Sequence, residues 1–534
     1  MSSTQEFFNR AKRRTADRGM RLLKQGRRGF WGLLFSRTGF LLVLIAVQAA
    51  FLFLLAYRLA GYAADYIFVW MAVSVPIVLA LINSRMDSSA KITWLFLILV
   101  LPVLGVLLLL YTKYDIGHRK LKRSAREIVR KTRFAIRQDP GTWERLRCLH
   151  PETAGIARFL ARTGCYPVYE ASGVKYFPMA EPAFEDMLGR LERAKKFIYL
   201  EYFIIEEGVM WGRILEILAK KAAEGLDVRV LYDGTCEFSR LPGDYPDKLR
   251  ALGIRCRVFS PACPFLTTRF NFRDHRKIMV IDGEAAYTGG FNLADEYINL
   301  HCPYGVWKDA GVRITGRAVA TFTLIFLQMW ADEQEIESLP DWRLDSPDDP
   351  SGTGFVIPFA DNPMDSYKVG ESVYLSILNR AHHYVHIMTP YLILDGELET
   401  ALRLASSLGI DVKIIVPGKN DNPFADALAR SHYLGLLEAG VKIYEYKPGF
   451  VHSKVCTSDG GRAFVGTINL DYRSLYHHFE CGVFLREADC ISDIEADFQA
   501  TLRQCRRITR RSVRREKTGR RLLGAVLKVI APLM

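Results

Sequence analysis

The chain carries one arrangement of reactive side chains twice. Phe272 to Asn292 reads FRDHRKIMVIDGEAAYTGGFN, and Phe450 to Asn469 reads FVHSKVCTSDGGRAFVGTIN. Each copy sets a His, a Lys two residues on, an Asp five residues after the Lys, then glycine and an Asn. The first copy is His275, Lys277, Asp282, Gly289, Gly290 and Asn292; the second is His452, Lys454, Asp459, Gly466 and Asn469, with the same His-to-Asn separation. Residues two apart on a strand share a face, so each H-x-K projects its imidazole and ammonium together. That pair suits phosphate chemistry. An imidazole attacks phosphorus or carries a proton near neutral pH, and an ammonium meets the charge on non-bridging oxygens. Asn adds an amide donor, and glycine lets the backbone come close. One H-x-K at a strand end says little, whereas two with matched glycine and Asn downstream point to a site made of two equivalent halves. Asp282 and Asp459, each followed by Gly at the end of an apolar strand, read as turn or salt-bridge residues rather than reactants.

The elements that must position these groups also repeat. From Gly155 short apolar strands alternate with amphipathic helices: KKFIYLEYFI, then GRILEILAKKAAEG, then DVRVLYD. The order returns as LSILNRAHHYVHIMTPYLI, LETALRLASSLG and DVKIIVP, followed by LGLLEAG and VKIYEY. The expected fold class is therefore α/β, with two similar lobes facing each other across a pseudo-two-fold axis. ESLPDWRLDSPDDPSGTG reads as the linker between them. The first lobe has an excursion, FSPACPFLTTRFNFRDH, fit either to line an acyl-chain entrance or to be a surface loop. Asp309 in WKDAGVRI and Glu480 in HFECGVFL precede similar apolar strands. These acids are expected to hold the second ring nitrogen of a catalytic His or else to form ordinary salt bridges. Glu296 is the weaker candidate for that role. His382/His383 and His477/His478 lack metal-ligand companions and read as structural or surface residues, while Trp307 and Trp330 read as core or rim.

The 534 residues carry a net charge of +14, which calls for an anionic partner, either nucleic acid or a membrane face. Ten scattered cysteines with no C-x-x-C argue against a disulfide framework or structural metal and fit a reducing compartment. The first 37 residues hold ten Lys or Arg against two acids, read as a retained cytoplasmic arm, with an organellar transit peptide as the alternative. Three apolar runs follow, Gly39–Tyr57, Ala64–Ile82 and Ile92–Tyr111, each near the length of a membrane span; the last two contain Pro76 and Pro102. Basic residues flank the set on both sides, so the positive-inside rule conflicts with three full spans. The catalytic region is expected in the cytoplasm. From Arg503 onward eleven basic residues face one acid, and apolar residues at 522, 523, 526, 527, 529 and 530 make one helical face. That combination reads as a surface anchor on anionic lipid, against a solvated nucleic-acid tail.

With its two H-x-K-x4-D segments the chain resembles the phospholipase D superfamily, and more closely the bacterial cardiolipin synthases. DHRKIMVIDGEAAYTGGFNLADEY, GTINLDYRSLYHHFE, YLEYFI, GLDVRVLYDG and AGVKIYEYKPGFVHSK carry the likeness, which runs from about Ala64 onward. The extra apolar run is a departure. The resemblance implies two phospholipase D-like lobes preceded by a transmembrane α-helical region in a multi-pass protein of the bacterial inner membrane. The boundaries are an arm 1–38, apolar region 39–111, basic linker 112–154, first lobe 155–338, linker 339–354, second lobe 355–502 and tail 503–534. It further implies a cardiolipin synthase that works on phosphatidylglycerol without metal or cofactor and without nucleic acid, through a phosphohistidine. The family's catalytic set maps to His275, Lys277, Asp282, His452, Lys454 and Asp459, with Asn292 and Asn469 on phosphate and Asp309 and Glu480 in support. His275 is the expected nucleophile, because Arg273 and Arg276 should lower its pKa, and His452 the acid and base. The alternatives are a phospholipase D using water or other phospholipids, a nuclease, and a non-catalytic lipid-binding scaffold. The oligomeric state stays open.

Overall fold

Both H-x-K copies fold as the same hairpin within two sheets of matching strand order. The computed structural model describes residues 63–84, 86–114, 116–261, 272–331 and 346–533. The N-terminal arm, the run Gly39–Tyr57, most of the excursion before His275 and much of the inter-lobe linker lie outside the described residues. In the first lobe the strands are β1 (Val174–Phe177), β2 (Phe197–Tyr202), β3 (Asp227–Asp233), β4 (Arg255–Phe259), β5 (Arg273–Asp274), β6 (Lys277–Ile281), β7 (Ala285–Gly289), β8 (Val306–Lys308) and β9 (Gly311–Thr315). The second has β10 (Phe355–Asp361), β11 (Tyr384–Met388), β12 (Asp411–Pro417), β13 (Lys442–Tyr446), β14 (Gly449–Val451), β15 (Val455–Ser458), β16 (Arg462–Gly466), β17 (His478–Arg486) and β18 (Cys505–Arg507). The sheets run β1-β9-β7-β6-β2-β3-β4 and β10-β17-β16-β15-β11-β12-β13, so each strand of the first has its counterpart in the second. The β2-β3-β4 and β11-β12-β13 segments are parallel; the remainder of each order is antiparallel. β3 and β12 are apolar along most of their length because helices cover both faces of a parallel segment.

One core joins the sheets. The helix Val319–Trp330 is apolar on all sides, as a helix buried all round must be. Phe322, Ile325 and Phe326 are fully buried in a cluster that takes Ile278 and Val280 from β6 and Val356 and Ile357 from β10. The lobes also exchange backbone. β5 lies parallel to the start of β17, pairing Arg273 with His478 and Asp274 with Phe479, and β14 lies parallel to β8, pairing Phe450 with Trp307 and Val451 with Lys308. Each lobe thus presses the segment before its own H-x-K against the strand that leads to the other lobe's acid.

The expected C-terminal tail begins inside the fold, since β18 adds an edge strand to β13. The helix Thr518–Ile530 then packs on the helix Pro423–Glu438. A Cβ at Gly524 would lie 2.4 Å from the Ala427 carbonyl oxygen, so only glycine permits that approach, and Leu527 is buried beside it. Leu522 and Val526 remain 66% and 56% exposed. The apolar face read from the sequence is therefore divided between a docked side and a free side.

A separate unit holds the described part of the N-terminal region. The second apolar run forms the helix Ala63–Ile82 with Pro76 inside it. The third run, expected as one helix, is broken into Ser88–Val100 and Pro102–Tyr114. Proline disfavours helical backbone in the residue before it, and Leu101 takes φ −130°. Leu81, Trp94, Ile98, Val106 and Leu109 form a small core among the three helices. Thirteen residues of helix reach only about 20 Å, against a hydrocarbon core of about 30 Å. Among the described residues no helix is long and apolar enough to cross a membrane.

Candidate active site

The exchange of strands between lobes decides which acid serves which histidine. His275 Nδ1 lies 2.8 Å from Glu480 Oε1 in the second lobe, and His452 Nδ1 lies 2.7 Å from Asp309 Oδ2 in the first. A carboxylate only accepts, so each Nδ1 carries the hydrogen and each Nε2 keeps its lone pair. Both expected acids therefore reach histidines, and each reaches across the lobe boundary. Gly290 keeps room for one of them, because a Cβ there would stand 2.0 Å from Asp309 Oδ1. The corresponding position after Gly466 is Thr467, whose hydroxyl donates to Glu480. Ser474 Oγ adds a second donation to Glu480 at 2.6 Å, whereas among the described residues Asp309 receives only the Ala310 N–H at 2.8 Å besides His452.

Lys277 and Lys454 donate to the carbonyls of His275 and His452 and are buried behind the rings. Asn292 Oδ1 accepts from Ile204 N at 3.0 Å, and its Nδ2 donates to the Tyr297 hydroxyl at 2.6 Å. In Asn469, Oδ1 is enclosed and has no hydrogen-bond partner among the described residues. Asp282 and Asp459 stand apart from these groups. Each sits in the turn after its strand at positive φ, 57° and 55°. Asp282 accepts the N–H groups of Lys195, Lys196 and Phe197, and Asp459 those of His382, His383 and Tyr384, all at 2.7–3.0 Å. The Asp carried over with the motif's catalytic set thus ties the far end of the hairpin to the start of β2 or β11, as its turn position led one to expect. His382 and His383 take part only through that backbone.

A cleft with about 1840 Å³ of empty space, part of it open to solvent, is lined by His275, His452, Asn292 and Asn469. Trp307, Tyr297, Tyr304, Tyr391, Asp421, Arg473 and His478 share its wall. His478, read from sequence as structural or surface, is buried with its ring centroid 5.2 Å from that of His275. Trp307 holds the equivalent place beside His452 at 5.4 Å. The period of two from Glu480 and Asp309 carried that signal, since each ring sits two residues before its acid on the same strand face. Glu296 lines the cleft too, 3.5 Å from Arg240 and not on a histidine.

Burial, with Lys277 and Lys454 close by, pushes the His275 imidazole well below its usual range. His452 falls to about 4 through burial and Lys454, against the opposing pull of Asp309. Both rings are neutral at pH 7. The flanking arginines do not supply the effect expected of them: Arg273 faces Asp233 at 3.4 Å and Arg276 faces Glu201 at 3.4 Å, both inside the protein. Burial also lowers Lys277 to about 8 and Lys454 to about 7. Two groups among the described residues bring possible metal-ligand atoms within 4.8 Å of one another, His275/His478/Glu480 and Glu371/Asp395/Glu397. In the first, His275 and Glu480 already bond each other. The nine described cysteines are all free.

Residues 187–330 and 374–502 match the family described as cardiolipin synthase, PLD-like domain. A cardiolipin synthase of Geobacillus kaustophilus is 33% identical over 464 residues, covering 86% of this chain and 91% of its own. An uncharacterized protein of Streptococcus mutans is 50% identical over 457 residues, covering 86% of this chain and 99% of its own. Among solved structures, the phosphatidylserine synthase of Haemophilus influenzae superposes with a TM-score of 0.53 at 16% identity, covering 67% of this chain and 93% of that one, a likeness of fold. With two matched lobes and a twofold H-x-K site that closes only across them, the chain belongs to the cardiolipin synthase family of the phospholipase D superfamily.

Proposed function

We propose that this phosphatidyltransferase moves the phosphatidyl group of one phosphatidylglycerol to a second, releasing cardiolipin and glycerol. The observation that carries the reading is that two imidazoles, each tethered at Nδ1 by the opposite lobe's carboxylate, line one cleft. His275 Nε2 attacks phosphorus, the bond to the headgroup glycerol breaks, and His452 gives that oxygen its proton. His452 then takes the proton of the acceptor hydroxyl as its oxygen attacks phosphorus and the P–N bond breaks. Burial and Lys454 favour neutral His452, and the entering phosphodiester anion raises its pKa toward the protonated form that the first step needs. Glu480 shares its charge among His275, Thr467 and Ser474, whereas Asp309 leaves more of its charge to His452. His452 is accordingly the more basic ring and the better proton carrier. Lys277 and Lys454 add positive charge beneath the phosphoryl group, and Asn469 faces it from the wall.

Purified protein given labelled phosphatidylglycerol in excess chelator should make cardiolipin and glycerol. Phosphatidic acid in place of cardiolipin would assign a hydrolase, no turnover a scaffold, and activity restored by one divalent ion would overturn the metal-free route. The value of kcat/KM should fall as pH rises through about 7 to 8, where Lys454 and Lys277 lose their charge. Lys454→Arg should move that limb upward, and a flat profile to pH 9 would remove the lysines from phosphate binding.

The same reading sets the chain on the bacterial membrane with its catalytic unit cytoplasmic. Met71, Val73, Val75, Leu79, Ile92 and Leu99 are exposed apolar side chains of the N-terminal unit, suited to hydrocarbon. Leu522 and Val526 project from the C-terminal helix beside exposed Arg521, a pairing of apolar and basic groups that fits an anionic headgroup layer. A fragment from residue 117 onward should bind anionic vesicles in a salt-dependent way. Leu522→Ser with Val526→Ser should weaken that binding by about tenfold or more, at about 1.5 kcal/mol or more per buried side chain. Equal binding by the variant would remove this surface from the membrane contact.

A further inference from the structure

The two halves of the cleft share a backbone plan and differ in what they leave unbonded. Beside His452 stand a donor and an acceptor with no partner among the described residues. Trp307 is 5% exposed, its ring 5.4 Å from that of His452, and its indole Nε1–H is enclosed without an acceptor among the described residues. Asp421 receives the Tyr391 hydroxyl on Oδ2 at 2.6 Å, while its Oδ1 is enclosed and accepts nothing from the described residues. Tyr391, which bonds Asp421, and Trp307 both pack on Phe450, at 6.5 and 4.8 Å between ring centroids, and Asp421 and Trp307 both line the cleft. An enclosed polar atom without a partner is costly, and two at one wall mark a place where a ligand completes the bonding.

The chemistry of the pair narrows the ligand. An indole N–H only donates and a carboxylate only accepts, so the missing group must both accept and donate. A hydroxyl does both. An ammonium, three donors with no lone pair, meets Asp421 and leaves Trp307 unmet. The apolar faces of Tyr391, Tyr304 and Trp307 suit the carbon chain of a small polyol.

We propose that Trp307 Nε1 and Asp421 Oδ1 form a headgroup subsite for the non-reacting hydroxyl of a glycerol headgroup, placed beside the proton carrier His452. The subsite rests on the transfer reaction proposed above. It holds the glycerol headgroup of the acceptor lipid while the neighbouring hydroxyl of that glycerol loses its proton to His452. In the first half-reaction the leaving glycerol occupies the same place. Bound there, the polyol displaces water that would otherwise take the phosphatidyl group, so the subsite raises transfer over hydrolysis.

The test uses the full chain with unlabelled phosphatidylglycerol and, as competing soluble acceptors each carrying the label, glycerol, propan-1-ol and ethanolamine, which differ in the group next to the reacting end; label entering the lipid reads each transfer. The native enzyme should transfer to glycerol about tenfold or more faster than to propan-1-ol, because the analogue lacking the hydroxyl leaves polar groups unpaired. Asp421→Asn, which keeps the shape and makes Oδ1 uncharged or a donor, and Trp307→Phe, which deletes the N–H, should each reduce that preference toward one. Both variants should raise phosphatidic acid relative to cardiolipin while the covalent adduct still forms. A glycerol preference that survives both substitutions overturns the subsite, and ethanolamine outcompeting glycerol would reassign it to an ammonium headgroup. If the native enzyme forms neither adduct nor cardiolipin, the transfer reaction itself fails, a result distinct from an unchanged preference in an active enzyme.

Discussion

His275→Ala should form no covalent phosphatidyl adduct, and its turnover should fall by on the order of 10⁵-fold or more, the scale seen when a nucleophile or its partner is deleted. His452→Ala should still form the adduct slowly. Without a general acid the glycerol departs as an alkoxide, and losing such a proton donor costs about 10²–10⁴-fold. The two variants separate because the acids separate the histidines. His275 shares Glu480 with two hydroxyls and is driven well below the usual imidazole range by burial and Lys277, so its ring is neutral, as the proposed nucleophile must be. His452 has Asp309 with one competing N–H and stands at about 4, and the charge of an arriving phosphodiester raises it toward the protonated form. Quenching each variant after labelled phosphatidylglycerol and mapping the phosphorylated peptide reads the outcome. Label on His452 in the native enzyme reverses the assignment, and label on neither removes the covalent route.

The residues of the candidate site are legible in the sequence because strand period and chain spacing are local. Two H-x-K segments with the same distance to Asn predict two equal hairpins, and β6-β7 and β15-β16 are those hairpins. Asp309 and Glu480 were recognisable from the apolar strands they precede. Which histidine each serves was not, because that depends on β5 meeting β17 and β14 meeting β8, pairings between residues far apart in sequence. Arg273 and Arg276 do not set the His275 pKa for a related reason: both guanidinium groups turn toward the buried carboxyl groups of Asp233 and Glu201, which only the folded lobe sets beside them. His478 was hidden by its neighbour. As half of a His-His pair it reads as a structural or surface residue, yet its place two residues before Glu480 puts it on the face that carries the acid. The break at Leu101 was within reach, since Pro102 lies inside the third apolar run and proline restricts its predecessor.

Exchange of acids between lobes predicts the second large effect. Asp309→Asn and Glu480→Gln keep the size of each side chain and remove its charge, so the imidazolium that develops on the bonded ring loses its counter-ion and its fixed tautomer. By analogy with the loss of the orienting carboxylate in a serine–histidine–aspartate triad, each should lower kcat by on the order of 10³–10⁴-fold. The variants should differ in where the reaction stops. Glu480→Gln acts through His275 and should slow adduct formation, whereas Asp309→Asn acts through His452 and should also slow transfer from the adduct to the acceptor. Double variants give the decisive reading, since groups acting through one another are not additive. Adding Asp309→Asn to His452→Ala should cost little further, because the acid's client is already gone, and adding Glu480→Gln to His452→Ala should cost its full factor. The opposite pattern would pair each acid with the histidine of its own lobe. Two equal additive losses would make both carboxylates scaffolding, with the 2.7 Å and 2.8 Å contacts of no consequence to the chemistry.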